Sequence, residues 1–214
     1  MKIAILIYDG MTALDAVGPH EVLWRLPDTE IVRVAVRAGG YRTNSGIILN
    51  AEYSLSDISQ ADVLVVPGAK SCHPLYDWPE AIEWVRAIHA TTTWTTSVCT
   101  GSLILGEAGI LKGVKATTHW AVLDHLKEYG AIPTHERVVE DGKIMTGAGV
   151  SAGIDMALTL AAKIAGAQVA QSIQLTIEYD PKPPFDVGSP EKANTPLRQL
   201  LQTQIERTFT HAAP

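Results

Sequence analysis

The sequence predicts a single-domain, doubly wound α/β sandwich with a mostly parallel central sheet. Short and nearly continuous apolar runs recur along the chain, and each is closed by a turn that leads into a segment of helical period. Strands of this composition are typical of parallel sheets buried on both faces, and their alternation with helices indicates a doubly wound fold. The length of 214 residues and the 46% hydrophobic content are sufficient for one large domain with a substantial core.

Three apolar runs have the pattern of buried parallel strands, namely residues 2–8, 61–66 and 93–98. The second run ends at Pro67-Gly68, and the third leads directly into Cys99. Ligands of doubly wound folds bind beyond the carboxyl ends of the strands. We therefore expect a functional site near these two turns.

Two segments have apolar residues at helical spacing. The first follows a possible capping box of Asp77 and Glu80 and carries Ala81, Trp84, Val85 and Ile88. The second follows a possible cap at Ser151 and carries Ile154, Ala157, Leu158, Ala161 and Ala165. Both are predicted to cover the sheet.

The remaining elements are a hairpin and a tail. Residues 136–146, with a turn at Asp141-Gly142, predict a hairpin added to the sheet. The proline-rich stretch from Asp180 to Pro190 breaks regular structure, and a terminal amphipathic helix is indicated by Leu197, Leu200, Leu201 and Ile205. We expect an α/β domain over residues 1–190 and a helical tail over residues 191–214 that packs on the same domain.

Composition narrows the function classes. The net charge of −6 includes no basic block, so nothing predicts binding to nucleic acid. The two cysteines, Cys72 and Cys99, are far apart and lack metal-ligand spacing, which favours a reducing cytoplasm over a secreted disulfide framework. The N-terminal apolar run is too short for a signal peptide, and no run approaches the roughly 20 residues that cross a bilayer.

Cys99 lies in the segment Ser97-Val98-Cys99-Thr100-Gly101-Ser102-Leu103, between a buried strand and a helix. This pattern is typical of a nucleophile elbow, with a glycine where the chains would pack closely. A thiol at a helix N-terminus is expected to have a lowered pKa. The alternative is an inert core cysteine, because free cysteine is among the most buried residue types. Cys72 lacks this context and is expected to be a spectator.

Asp15 follows the first strand and lies near the start of a predicted helix. Spacing alone favours a helix cap. The same position also brings its carboxyl to the sheet edge that carries the elbow, where it could exchange a proton with a substrate bound to sulfur.

Three further positions are candidates for the site. The backbone N–H groups of the Pro67-Gly68-Ala69 turn could face negative charge beside the sulfur, although such turns are also common as chain reversals. Thr100 could donate its hydroxyl or simply begin the helix. His119 is a secondary candidate for a Cys–His dyad, with a scaffold role as the alternative.

With these residues in place, the sequence resembles the ThiJ/PfpI superfamily and, within it, the branch that hydrates isonitriles, R–NC, to N-substituted formamides. The similarity extends over nearly the whole chain. Its main motifs are Gly18-Pro19-His20-Glu21, the Cys99 elbow, Ala116-Thr117-Thr118-His119-Trp120, Ser151-Ala152-Gly153-Ile154-Asp155 and Pro183-Pro184-Phe185.

The resemblance implies a flavodoxin-like fold, a homodimer, and an enzyme with no metal and no organic cofactor that acts on a small hydrophobic isonitrile. It implies Cys99 as nucleophile, Asp15 as general acid and base, and Thr100 as a supporting hydroxyl. Gly68, Ala69 and Val150 are the expected oxyanion and substrate-binding positions. A catalytic role for His119 is not required.

Two departures from the family pattern bear on the shape of the site. Ala69 stands where a second glycine is common, and Ala148 interrupts a glycine run. A backbone N–H survives a change from glycine to alanine, but a positive φ would become costly.

Three other functions match parts of this pattern, and the first and third of them remain open. The same nucleophile could act on a 2-oxoaldehyde or an amide, since the superfamily shares its elbow across several chemistries. The elbow with Thr-Thr-His-Trp also resembles a domain of AraC-type regulators, but too little chain follows Pro190 for their DNA-binding region of roughly 100 residues. A non-catalytic module whose Cys99 senses oxidants is the third.

Overall fold

The computed structural model describes residues 1–70 and 78–210. A seven-stranded sheet forms the centre of the protein. In chain order, the strands of the described residues are β1 (Lys2–Leu6), β2 (Glu30–Ala35), β3 (Gly39–Arg42), β4 (Ile48–Ala51), β5 (Tyr53–Ser54), β6 (Val63–Val66), β7 (Trp94–Val98), β8 (Lys115–Ala116), β9 (Ile132–Pro133), β10 (Val138–Asp141) and β11 (Ile144–Gly147).

The spatial order of the large sheet is β10-β11-β7-β6-β1-β2-β5. All neighbouring pairs are parallel except β10 and β11, which form the predicted antiparallel hairpin. β3 pairs with β4 and β8 pairs with β9, outside the main sheet. The predicted α/β class with a mainly parallel sheet is thus confirmed.

Helices cover the sheet on both sides. They are α1 (Ala13–Leu23), α2 (Pro79–Thr91), α3 (Gly101–Glu107), α4 (Ala152–Ala165), α5 (Ala167–Thr176) and α6 (Thr195–Thr210), with short 3-10 segments at Leu55–Asp57 and Trp120–Tyr129. α1 packs against α4, and α4 against α5, while α3 contacts α2 and the second 3-10 segment. The core between these layers is apolar, and the central strand β6 is buried along its whole length.

Two predicted caps differ in detail from the structure. Asp77 lies outside the described residues, and Trp78 occupies the N-cap position of α2, with Pro79 as the first helical residue. Ser151 does occupy the N-cap position of α4, but its side chain makes no capping hydrogen bond there. Proline is suited to the first helical position because the N–H it lacks has no partner there in any helix.

The strand order brings three turns to one edge of the sheet. The chain passes from β1 outward to β2 on one side and from β6 to β7 on the other, so the order reverses between β1 and β6. Ligands of doubly wound folds bind at such a switch point, beyond the carboxyl ends of the strands. Asp15, Gly68 and Cys99 follow β1, β6 and β7 and therefore meet at this edge.

Candidate active site

Cys99 occupies a strained turn between β7 and α3. Its φ of +56° lies in the left-handed region, which residues with a Cβ rarely adopt. Its N–H points at two carbonyl oxygens at the end of β11, that of Gly147, the last residue of the strand, at 3.0 Å and that of Ala148, the next residue, at 2.8 Å. Strain of this kind persists only where the surroundings fix it, and it is concentrated at functional sites. The geometry is that of a nucleophile elbow.

Two glycines allow the turn after β6 to pack directly on the elbow. A Cβ on Gly101 would lie 2.1 Å from the carbonyl oxygen of Val66, and one on Gly68 would lie 2.5 Å from the nitrogen of Thr100. Both distances are far below van der Waals contact. The glycine expected for close packing two residues after Cys99 is therefore required by the approach of β6.

Asp15 lies inside the first turn of α1 and does not cap it. The N-cap position belongs to Thr12, so the cap interpretation that spacing favoured is wrong. The side chain is fully buried, and its Oδ2 accepts a hydrogen bond from the Gly68 N–H at 3.0 Å. Its Oδ1 has no hydrogen-bond partner among the described residues.

The buried position of Asp15 determines its protonation. Burial raises the pKa of this carboxyl to about 8, and hydrogen bonds with the Gly68 N–H and the Cys99 side chain only partly oppose the rise. At neutral pH the carboxyl is therefore mostly protonated and lies beside the sulfur. It can donate a proton to a group bound there and can later accept one.

Thr100 connects the turn after β6 to the elbow. Its Oγ1 accepts from the Ala69 N–H at 2.9 Å and donates to the Ala69 carbonyl at 2.8 Å. The Gly68 N–H is bound to Asp15. Both N–H groups expected to face charge beside the sulfur are therefore engaged within the protein. In this geometry Gly68 and Ala69 hold Asp15 and Thr100 in place.

The His119 side chain contacts the residues that directly follow it in the chain. Its Nδ1 accepts from the Ala121 N–H at 3.4 Å at the start of the 3-10 segment, and its ring lies 5.7 Å from that of Trp120. Burial lowers the pKa of the imidazole, so it is neutral at neutral pH. The scaffold interpretation of His119 accounts for these contacts, and none of them involves Cys99.

A cavity of about 480 Å³ opens beside the elbow. Its apolar walls are Leu14, Trp120, Leu123 and Val150, and Thr118 lies at its base, where its hydroxyl contacts the Cys99 carbonyl. Residues 188–191 close one side. Val150 lies in the turn between β11 and α4, and its N–H donates to no acceptor among the described residues.

Of the wall positions just named, Val150 alone was predicted as a site residue. Thr118 was part of a recognised motif, but the sequence shows no sign of the carbonyl to which it donates. Residues 188–191 belong to a stretch that the sequence marks only as irregular. Cys72 lies outside the described residues. Within the described ranges, no group of three or more His, Cys, Asp or Glu side chains could hold a metal ion, and no helix is long and apolar enough to cross a membrane.

The site can be compared with known proteins. The family model described as the DJ-1/PfpI family matches residues 1–163. Isonitrile hydratase from Pseudomonas putida is 43% identical over 193 residues, which cover 90% of this chain and 85% of that protein. A ThiJ/PfpI family protein from Pseudomonas syringae has a crystal structure that matches with a TM-score of 0.94 and 37% identity, over 99% of this chain and 88% of the other.

A transcriptional regulator is similar in sequence to part of this chain. The HTH-type transcriptional regulator CdhR from Pseudomonas aeruginosa is 31% identical over 138 residues, which cover 63% of this chain but only 40% of the regulator. The identity and coverage are both higher for the hydratase.

Proposed function

Because this chain belongs to the DJ-1/PfpI family, we propose that it is an isonitrile hydratase, which converts R–NC and water to an N-substituted formamide. The relative from Pseudomonas putida, similar over most of both chains, supports this activity. The observation that carries the mechanism is the pair formed by Cys99 in its strained turn and a buried, protonated Asp15. This pair supplies a nucleophile and a proton donor side by side.

In the first step, the Cys99 thiolate attacks the terminal carbon of the isonitrile and a C–S bond forms. The negative charge that develops on this carbon is removed by the proton of Asp15, which leaves a carboxylate and a neutral thioimidate, Cys99-S–CH=N–R. An acid with a pKa of about 8 holds its proton until the attack and can release it to a basic carbon.

In the second step, water adds to the thioimidate carbon while the Asp15 carboxylate takes one of its protons. A proton moves from the new hydroxyl to the nitrogen, the C=O bond forms, and the C–S bond breaks. The formamide leaves, and Cys99 and Asp15 return to thiolate and acid. One carboxyl thus serves both proton transfers, and a histidine base is not needed.

The neighbouring residues have supporting roles in this proposal. Thr100 and Gly68 fix the turn that faces Asp15, and the N–H of Gly68 fixes the orientation of the carboxyl. The backbone N–H and carbonyl of Ala69 hold the Thr100 hydroxyl in place. Val150 is the position at which a backbone N–H remains available to a bound ligand, so it takes the polarising role first expected of the turn after β6.

The cavity favours a small hydrophobic isonitrile. A volume of about 480 Å³ is within the ordinary range for a small-molecule site, and its lining includes the apolar side chains of Leu14, Trp120 and Leu123. The isonitrile group is compact and weakly hydrated. An apolar R group in this cavity would lie next to Thr118, whose hydroxyl donates to the Cys99 carbonyl.

A substrate comparison tests the proposal. Purified protein is incubated with cyclohexyl isonitrile, p-nitrophenyl isonitrile and methylglyoxal, and formamide or 2-hydroxy acid is quantified. We expect turnover of the isonitriles and little loss of methylglyoxal. Formation of no formamide would refute the hydratase assignment, and a clear preference for methylglyoxal would favour a glyoxalase-like activity of the same cysteine. Stoichiometric oxidation of Cys99 without any turnover would indicate a sensor.

We also propose a homodimer in the cytoplasm. Exposed apolar side chains on α1 and on the β3–β4 hairpin support a subunit interface, with Leu14, Val17, Ile47 and Ile48 each more than two-fifths exposed. Patches of this kind mark association sites on proteins. The cytoplasmic location rests on the low cysteine content.

A further inference from the structure

The carbonyl of Cys99 is held by two hydroxyl groups, one of which comes from outside the elbow. Ser102, in α3, donates from Oγ at 3.3 Å, and Thr118, which follows β8, donates from Oγ1 at 3.0 Å. Thr118 is only 1% exposed and also lines the cavity. A buried hydroxyl therefore links the cavity wall to the backbone of the nucleophile.

The hydrogen bond from Thr118 restrains the strained backbone of Cys99. The N–H of Cys99 is fixed by the carbonyls of Gly147 and Ala148, and its carbonyl by Thr118. With both ends held, the peptide groups on either side of Cys99 cannot rotate toward a more relaxed φ. A residue at a φ of +56° depends on such restraints, because the left-handed region costs roughly 1 kcal/mol or more for a residue with a Cβ.

The same bond changes the charge near the sulfur. A carbonyl oxygen carries partial negative charge, and this one belongs to the residue whose thiolate must form. A hydroxyl that donates to this oxygen reduces its repulsion of the thiolate. We infer that Thr118 is a positioning residue that keeps Cys99 in its reactive geometry and favours its thiolate form. The inference rests on Cys99 as the nucleophile of the proposed hydration.

The test compares Thr118→Val, which removes the hydroxyl at nearly constant shape, with Thr118→Ser, which keeps it. Thr96→Val is the matched control. Thr96 is also buried, and its Oγ1 donates within the sheet to the carbonyl of Leu64 at 2.9 Å and not to the backbone of Cys99. All variants carry Cys72→Ser, so that iodoacetamide reports on Cys99 alone.

The readout is the pH dependence of Cys99 alkylation, followed by kcat and KM on cyclohexyl isonitrile. Thr118→Val is expected to slow alkylation at pH 7 about fivefold to tenfold, to move its pH midpoint upward, and to lower kcat by a similar factor, as the loss of one buried hydrogen bond would. Thr118→Ser is expected to restore most of both quantities, and Thr96→Val to leave the alkylation profile in place.

Three results would overturn the inference: a wild-type alkylation profile in Thr118→Val, an equal change in Thr96→Val, or a loss in Thr118→Ser as large as in Thr118→Val. Thr118→Ala gives the same comparison if the valine variant fails to fold. Alkylation needs no isonitrile. A protein that forms no formamide but shows the Thr118 effect would therefore refute the proposed hydration and leave the positioning role standing.

Discussion

At the scale of single residues, the proposed chemistry depends on where one carboxyl is buried. Asp15 has an ordinary sequence context, and its type and spacing are those of a helix cap. Its distinguishing property is complete burial next to the Gly68 turn and Cys99, which follows from the packing of three separate elements. Sequence can place this residue at the correct sheet edge, but its protonation is a property of the assembled core.

The proposed acid role of Asp15 predicts a pH limit on the proposed activity. Because the carboxyl must carry its proton when the isonitrile is attacked, kcat/KM is expected to fall as pH rises through about 8, the pKa of Asp15. The measurement is kcat/KM on cyclohexyl isonitrile from pH 6 to 10. Asp15→Asn is expected to be slowed by at least about a hundredfold, in the range of a lost general acid. An unchanged rate in Asp15→Asn would remove Asp15 from the mechanism.

The same carboxyl predicts a pH-dependent stability. Its folded pKa of about 8 exceeds the ordinary value of 3.8, so the folded state binds the proton more tightly than the unfolded state does. This contribution is fully present below about pH 4 and is lost as pH rises through about 8. As pH rises over this window, the unfolding free energy of the wild type should therefore fall relative to that of Asp15→Asn. Urea unfolding at each pH measures this difference. A difference independent of pH would contradict the burial argument.

At the scale of elements, the strands with continuous apolar runs and the two strands of the hairpin were predicted, and the other half-exposed strands were not. β1, β6 and β7 lie within the predicted runs, and β10 and β11 form within the predicted hairpin. β2 was missed because charged residues interrupt its sequence, Glu30-Ile31-Val32-Arg33-Val34-Ala35, and only part of it is buried. The two-residue strands β5, β8 and β9 are too short to show any period.

The packing of β6 against the elbow makes a prediction about Gly101. An added methyl would meet the carbonyl of Val66 at 2.1 Å, so Gly101→Ala must push β6 and α3 apart. We expect a loss of at least about 2 kcal/mol of unfolding free energy, within the usual range for overpacking, and a fall in Cys99 alkylation. The matched control is Gly188→Ala, because a methyl there meets nothing within 4 Å. Equal stability of the two variants in urea unfolding would contradict the close approach.

At the scale of the whole molecule, the alternation of strands and helices was sufficient to predict the class, and the sheet order determined the site. The sequence indicated that Gly68 and Cys99 follow buried strands. The adjacency of β1, β6 and β7 makes these turns neighbours and brings Asp15 to the same edge of the sheet. The cavity was beyond sequence reasoning, because its walls come from α1, the 3-10 segment, the turn before α4 and residues 188–191. The division of the chain at residue 190 stays a prediction.

The proposed dimer predicts a mass in solution near twice the 23.0 kDa of one chain. Light scattering coupled to size exclusion measures it directly. Because Val17 is an exposed apolar side chain of α1, Val17→Asp is expected to shift the protein toward monomer. Leu175→Asp is the control, since Leu175 is 82% exposed and lies on α5, which is not one of the two elements of the proposed patch. A monomeric wild type at micromolar concentration would refute the dimer.

In the proposed hydration the Cys99 sulfur bonds to the isonitrile carbon, and intact-protein mass spectrometry after rapid acid quench can detect this bond. During turnover of cyclohexyl isonitrile, the protein is expected to gain the mass of one isonitrile molecule, located by peptide mapping on Cys99. The gain should be absent in Cys99→Ala, which should also form no formamide. Formamide production by Cys99→Ala at the wild-type rate, or an adduct on another residue during turnover, would contradict the account.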